Sequence, residues 1–444
     1  MNSDPRTHRG VCAAFALLAF SAHADEREAQ WRTVADLTAD EQALIDPRSD
    51  TPRDGEYPYV PAEPYPFSAP YTAEEMAYRM SEFVHIVRWP MAMVDVYGVI
   101  TSSGYINQGV SISLTAPVAG DGMEGYIRGV KPGQVYSQWL TYDLFPPESE
   151  GGQQLWLPNR TDLEHRTKMD YYIYSPQLRR VRRQPQPRRD QRFPDSSQTF
   201  DDVIGRDPWE FRWELIGTDV LYETVRFPST RPSITVHRHG QGLVEQSTAA
   251  IKMMGESYPH YRADGGVECW VVKATPRAEW LPDYSEKKLI FWLDKHYFYP
   301  LRMEKYGADG KLMMIEARYS ERENPARGEF GYTALTTVYW NVEHDLVSYS
   351  VHDGTRVGSW TPEEKKMMFT PEFMRRQWLI EPITTQALIR DPEHFYLRAK
   401  LHPGKFPGER DTSLPPAIQA RYDAQEAAGR LVFESAPVTV VNAD

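Results

Sequence analysis

Two cysteines are all that 444 residues provide, at positions 12 and 269. Cys12 lies in an N-terminal apolar stretch that reads as removable. Cys269 is then alone, which excludes a disulfide within one mature chain. Long apolar runs are equally scarce. Residues 11–20 form the longest, too short for the roughly 20 residues that cross a bilayer, and a helical membrane protein is excluded. The final Val-Asn-Ala-Asp is not the aromatic strand that closes a transmembrane barrel, so a soluble protein is expected. Positive charge is in deficit: the net charge is -12, and the surface as a whole will not seek nucleic acid. Also missing are a nucleophile elbow, a His-Glu-x-x-His pair, a phosphate-binding loop and a dinucleotide fingerprint.

What is present begins with a secretory pattern. Arg6 and Arg9 precede the apolar run, and Ser21-Ala22-His23-Ala24 ends it with small residues. This is the pattern of a signal peptide cleaved near Ala24, and it places the protein in the periplasm. Residues 25–71 are polar and rich in Pro and Tyr, which predicts extended backbone. Thr72-Ala73-Glu74-Glu75 is a capping box, and Met76, Met80, Phe83, Val84 and Val87 follow at helical spacing until Pro90. Strands are predicted over 91–100, 105–115 and 125–142, then over 268–274, 288–293, 297–306, 311–319, 333–340 and 346–351. Connections this short require an antiparallel meander. From Thr361 the text is again helical and loop-like, so residues 72–355 form the domain and 356–444 an extension. Alternation puts Tyr299, Leu301, Met303, Met313, Ile315 and Ala317 on one apolar face. Arg302, Glu304, Glu316 and Arg318 fall on a second face, read as solvated and charge-paired.

Few residues suggest chemistry. His237 and His239 would share a strand face, but no third ligand stands at a recognisable spacing, so no metal and no cofactor are expected. The basic run Arg179, Arg180, Arg182 and Arg183, continued by Arg188, Arg189 and Arg192, is an island in an acidic chain. It suits lipid phosphates or an acidic partner, or simply ion pairs with nearby acids such as Asp201, Asp202 and Asp207.

The stretch Tyr171-Tyr172-Ile173-Tyr174-Ser175-Pro176-Gln177-Leu178-Arg179-Arg180-Val181-Arg182-Arg183 resembles a strand of periplasmic proteins related to the lipoprotein carrier LolA. Phe200-Asp201-Asp202-Val203, the Trp270-x-Val272-x-Ala274 strand and the hairpin from Phe291 through Asp309-Gly310 match the same pattern. The most similar family is the outer-membrane lipoprotein-sorting-protein-like domain of unknown function 1329. The resemblance runs from Tyr171 to Tyr319 and more loosely to Phe373; the region before Met91 departs from it. It implies a mainly β (α+β) fold: a half-open β-barrel of the LolA type, with helices packed on its concave face around a hydrophobic cavity. It also implies partnership with an export permease of the RND type.

Together these readings predict a periplasmic, non-enzymatic carrier or accessory protein that holds a lipid or another apolar molecule. The expected cavity lining is Met80, Phe83, Trp270, Val272, Phe291, Leu301, Met303, Met313 and Ile315. Arg179, Arg180, Arg182 and Arg183 are the expected head-group or partner contacts. Met303→Asp should then harm binding more than Arg302→Asp. Two alternatives remain: an envelope protein that docks on a permease complex without cargo, and a periplasmic hydrolase whose acids converge from distant strands.

Overall fold

A computed structural model describes residues 31–48, 51–84, 88–101, 106–193, 196–221, 233–238, 242–247, 266–319, 336–356 and 360–376, with isolated helical positions between 416 and 427. The expected signal peptide lies outside these residues. The strands are β1 (Arg32–Thr33), β2 (Met91–Ile100), β3 (Ile106–Pro117), β4 (Ser137–Phe145), β5 (Gln153–Pro158), β6 (Met169–Ser175), β7 (Arg180–Gln184), β8 (Phe211–Leu221), β9 (Ser233–Arg238), β10 (Gly242–Ser247), β11 (Val267–Pro276), β12 (Lys288–Asp294), β13 (Pro300–Tyr306), β14 (Leu312–Tyr319), β15 (Thr336–Asn341) and β16 (Leu346–Arg356). Helices are α1 (Ala39–Gln42), α2 (Ala73–Val84), α3 (Gly122–Arg128), α4 (Phe200–Ile204) and α5 (Pro362–Met368). Where a strand was expected from Gly125, α3 forms instead, because the apolar residues Met123, Tyr126, Ile127 and Val130 repeat at helical spacing.

Fourteen strands make one open, curved sheet in the order β1-β8-β11-β12-β13-β14-β15-β16-β2-β3-β4-β5-β6-β7, while β9 and β10 pair separately. Two meanders, β2 to β7 and β11 to β16, join where β16 lies along β2. Every ladder among these strands is antiparallel, as the short connections require. The ends, β1 and β7, do not meet.

On the concave face lie α2, α3, and the segment between β7 and β8 that carries α4. Helix α2 starts on the expected box: the Glu75 amide donates to Thr72 Oγ1, and the Thr72 amide donates to Glu75 Oε2. Its Met76 and Met80 enter a core with Trp270, Val272, Phe291, Leu293 and Met303. The crossing segment is pinned to β16 by Ser197, whose amide donates to Ser348 Oγ and whose hydroxyl donates to the Leu346 carbonyl. The convex face of β3 to β5 is covered as well, by Phe369 and Met374 following α5.

The two sides of β13 and β14 differ from the alternation read above. Ile315 stands across from Glu304 and Trp340, whereas Met303 stands across from Phe291 and Glu316. The turn at Gly307–Gly310 would have paired Met303 with Ile315. A bulge intervenes: Tyr306 pairs with Leu312 but Lys305 with Met314, leaving Met313 as the extra residue. One inserted residue moves every later side chain of β14 to the opposite face. Nor is either face solvated. Arg302, Glu304, Glu316 and Arg318 are all buried, in the pairs Arg302–Glu304 and Arg318–Glu316, each at 2.6 Å.

Candidate functional site

Strand β3 reads Gly109-Val110-Ser111-Ile112-Ser113-Leu114-Thr115. Val110, Ile112 and Leu114 are buried, and Ile112 and Leu114 pack into the convex-side core, so the small residues take the concave side. The registers align them with neighbours into rows: Asp95–Ser111–Asp143, Met93–Ser113–Thr141–Gln154, and Thr115–Trp139–Trp156–Tyr171. Small side chains in the first two rows leave a hollow that the large rings of the third wall off. Trp139 and Trp156 stack at 5.4 Å, and Phe193 of the crossing segment packs on Trp156. Tyr339 and Ser350 close the side toward β15 and β16, and α4 contributes Asp202 and Val203. The half-open hollow holds about 530 Å³, within the range of small-molecule sites.

Its electrostatics are uneven. Ser113 Oγ donates to Asp95 Oδ2 at 2.6 Å. Asp143 has no side-chain partner among the described residues, and burial pushes its carboxyl up to about 6. Burial, aided by Asp143 and Asp95, likewise raises the Tyr97 hydroxyl, which stays protonated. Asp202 is different. Burial alone would raise it, but Lys305 and Arg206 outweigh that and hold it below the usual carboxylate range. Lys305 also donates to Glu286 at 2.8 Å, as does Arg206 at 2.7 Å. The Tyr284 hydroxyl then links Glu286 to Asp201, and Arg189 links Asp201 to Glu210. This buried network fixes α4 against the sheet. A second acid, Asp207, takes Lys168 Nζ and the Tyr126 hydroxyl, each at 2.6 Å, with Thr161 at 3.0 Å.

The residues expected to line a cavity divide into groups. Met80, Trp270, Val272, Phe291 and Met303 do come together, but as packed core. Beside Met80, Phe291 and Met303 there is a space of only about 30 Å³, which shares Val84, Asp202 and Arg318 with the larger cavity. Leu301 is fully buried in the bulge of β13 opposite Leu293 and Trp292. Met313 is the half-buried bulge residue of β14, and Ile315 is buried on the other face. The Phe83 side chain lies outside the described residues. Of the basic island, Arg180, Arg182 and Arg183 stand exposed on edge strand β7, and Arg179 on the turn before it at φ 49°. Arg183 pairs with Asp170, and Arg189, half-buried, lies between Asp201 and Glu210. His237 is on β9, and His239 lies outside the described residues. Among the described residues no three His, Cys, Asp or Glu side chains are grouped to hold a metal ion, and no helix is long and apolar enough to cross a membrane.

Asp143, Trp139, Trp156 and the two serines were not anticipated from sequence. The available signal was small-polar alternation with Val, Ile and Leu in β3, which marks a face that buries little volume.

A comparison with curated proteins finds no match. Among solved structures, the chain is similar to a putative outer membrane lipoprotein-sorting protein domain from Vibrio parahaemolyticus, with 14% identity, 68% of this chain and 98% of that chain covered, and a TM-score of 0.44. A DUF1329 family protein from Desulfovibrio piger shows 13% identity, coverage of 67% and 95%, and a TM-score of 0.44. A LolA superfamily protein from Nitrosomonas europaea shows 11% identity, coverage of 68% and 98%, and a TM-score of 0.39. The family model described as "Protein of unknown function (DUF1329)" matches residues 54–375, well over half of the sequence, and the chain belongs to that family.

Proposed function

We propose that this protein is a periplasmic, non-catalytic carrier or accessory protein that holds an apolar small molecule in the cavity between β2–β5, β15–β16 and α4. The observation that carries this reading is the cavity itself, about 530 Å³ with Trp139, Trp156 and Phe193 on its walls. At roughly 0.8 kcal/mol per buried methylene, about ten methylenes reach micromolar affinity before immobilisation costs. The core around Met80, Phe291 and Met303 closes one end of the space. The signal-like N-terminus supports export, and the secretory compartment supports cargo exchanged with membranes. Arg180 and Arg182 lie on an open sheet edge and Arg179 on the turn before it, where they suit the phosphates of lipid heads or an acidic face of an RND-type permease. A hydrolytic role has less support: Asp95 is engaged by Ser113, and no base or nucleophile is hydrogen-bonded to Asp143 among the described residues.

The test is displacement of a polarity-sensitive fluorescent probe from the purified protein by medium-chain amphiphiles. Ser111→Phe fills the cavity from a buried position and should abolish displacement without unfolding the protein. Unchanged displacement in that variant would place the binding elsewhere; no probe binding at all would remove the carrier reading.

A further inference from the structure

Three acids and one arginine line the cavity, and their partners do not balance. Asp202 is neutralised by Lys305 and Arg206, and Arg318 by Glu316 at 2.6 Å. Asp95 accepts from Ser113. Asp143 is left facing the cavity without a cation or donor among the described residues. An acyl carboxylate or phosphate bound here would set like charges together in a site of low dielectric, where repulsion is strong.

The walls around Asp143 are aromatic: Trp139, Trp156 and Phe193 line the same cavity, and Trp139 and Trp156 stack at 5.4 Å. Their indole nitrogens are buried away from the open space. Aromatic walls attract a cation through their ring faces.

We infer that the cavity selects amphiphiles whose polar end is a protonated amine or quaternary ammonium, with Asp143 meeting the cation between aromatic walls. This rests on the proposed cargo-binding role of the same cavity and names the class of cargo. It separates the cavity from the exposed arginines of β7, which attract the opposite charge outside it.

The experiment compares decylamine, decyltrimethylammonium, decan-1-ol and decanoate by displacement from the full-length purified protein at about pH 7.5, where Asp143 is ionised. Decylamine and decyltrimethylammonium should bind at least about tenfold more tightly than decanoate. Asp143→Asn should bring amine and acid to within about threefold while leaving decan-1-ol unchanged. Asp309→Asn, an equal charge change in an exposed turn, should keep the wild-type order. Decanoate binding as tightly as the amine, or a preference that survives Asp143→Asn, would overturn the inference while leaving the carrier reading in place. Failure of decan-1-ol and all three others to bind would remove both.

Discussion

Asp95 and Asp143 face one cavity from strands separated by a single neighbour, each standing across from Ser111 in the ladder. Their surroundings separate them: Asp95 accepts the Ser113 hydroxyl, and Asp143 is left desolvated and alone among the described residues. Side chains held in that way destabilise the fold when charged, and sites that bind are where such costs are found.

The first prediction concerns that cost. The Asp143 carboxyl sits at about 6 against an ordinary 3.8, with burial as the cause. The native state therefore holds a proton more tightly than the unfolded chain. The penalty is absent below the ordinary value, grows as pH rises, and is complete above about 6. Asp143→Asn should stabilise the protein by about 1–3 kcal/mol at neutral pH and by almost nothing near pH 4. Urea unfolding at both pH values measures this, and equal effects at the two would refute it.

Lys305 gives the opposite sign. It joins Asp202 to Glu286 in the buried network, and Asp202 is held below the usual carboxylate range. That contribution is full above the ordinary carboxylate range and is lost as pH falls below it. Lys305→Met should cost about 3–5 kcal/mol at neutral pH, because it strands buried acids. The deficit should shrink on acidification.

Met303→Asp and Arg302→Asp should both destabilise by about 3 kcal/mol or more, since both residues are buried and Arg302 pairs with Glu304. A solvated Arg302 face would instead have made its substitution nearly silent. Thermal unfolding of the two variants decides between these outcomes.

Gly217 holds strand β1 to β8. A Cβ at this position would lie 2.1 Å from the Arg32 carbonyl oxygen and 2.8 Å from the Trp31 ring. Gly217→Ala should cost about 1–3 kcal/mol and raise amide exchange in β1 before other strands.

Much of this architecture was legible in the residues. The capping box at Thr72 placed α2, and alternating β-branched and aromatic segments placed β2 and β11 to β16 within a few residues. Short turns dictated antiparallel pairing. What failed was pairing parity: the bulge at Met313 turned Ile315 away from Met303, and no turn residue announces an insertion beyond the turn itself. The cavity was missed for a related reason. Large apolar residues such as Met80, Phe291 and Met303 fill space, whereas a hollow is made where small ones, Ser111 and Ser113, face each other's rows. The acids of Phe200-Asp201-Asp202-Val203 were foreseen as partners for arginine, and Arg189 and Arg206 do take them. Arg180 and Arg182, nine and seven positions before Arg189 on the edge strand, do not.

The most direct measurement is native mass spectrometry of the protein purified from an envelope fraction, beside lipid extraction of the same sample and of Ser111→Phe. A small amphiphile should accompany the unmodified protein and be absent from a folded Ser111→Phe. A bare protein mass that stays bare after challenge with medium-chain amines, alcohols and acids would contradict cargo binding, as would a ligand retained equally by the filled-cavity variant.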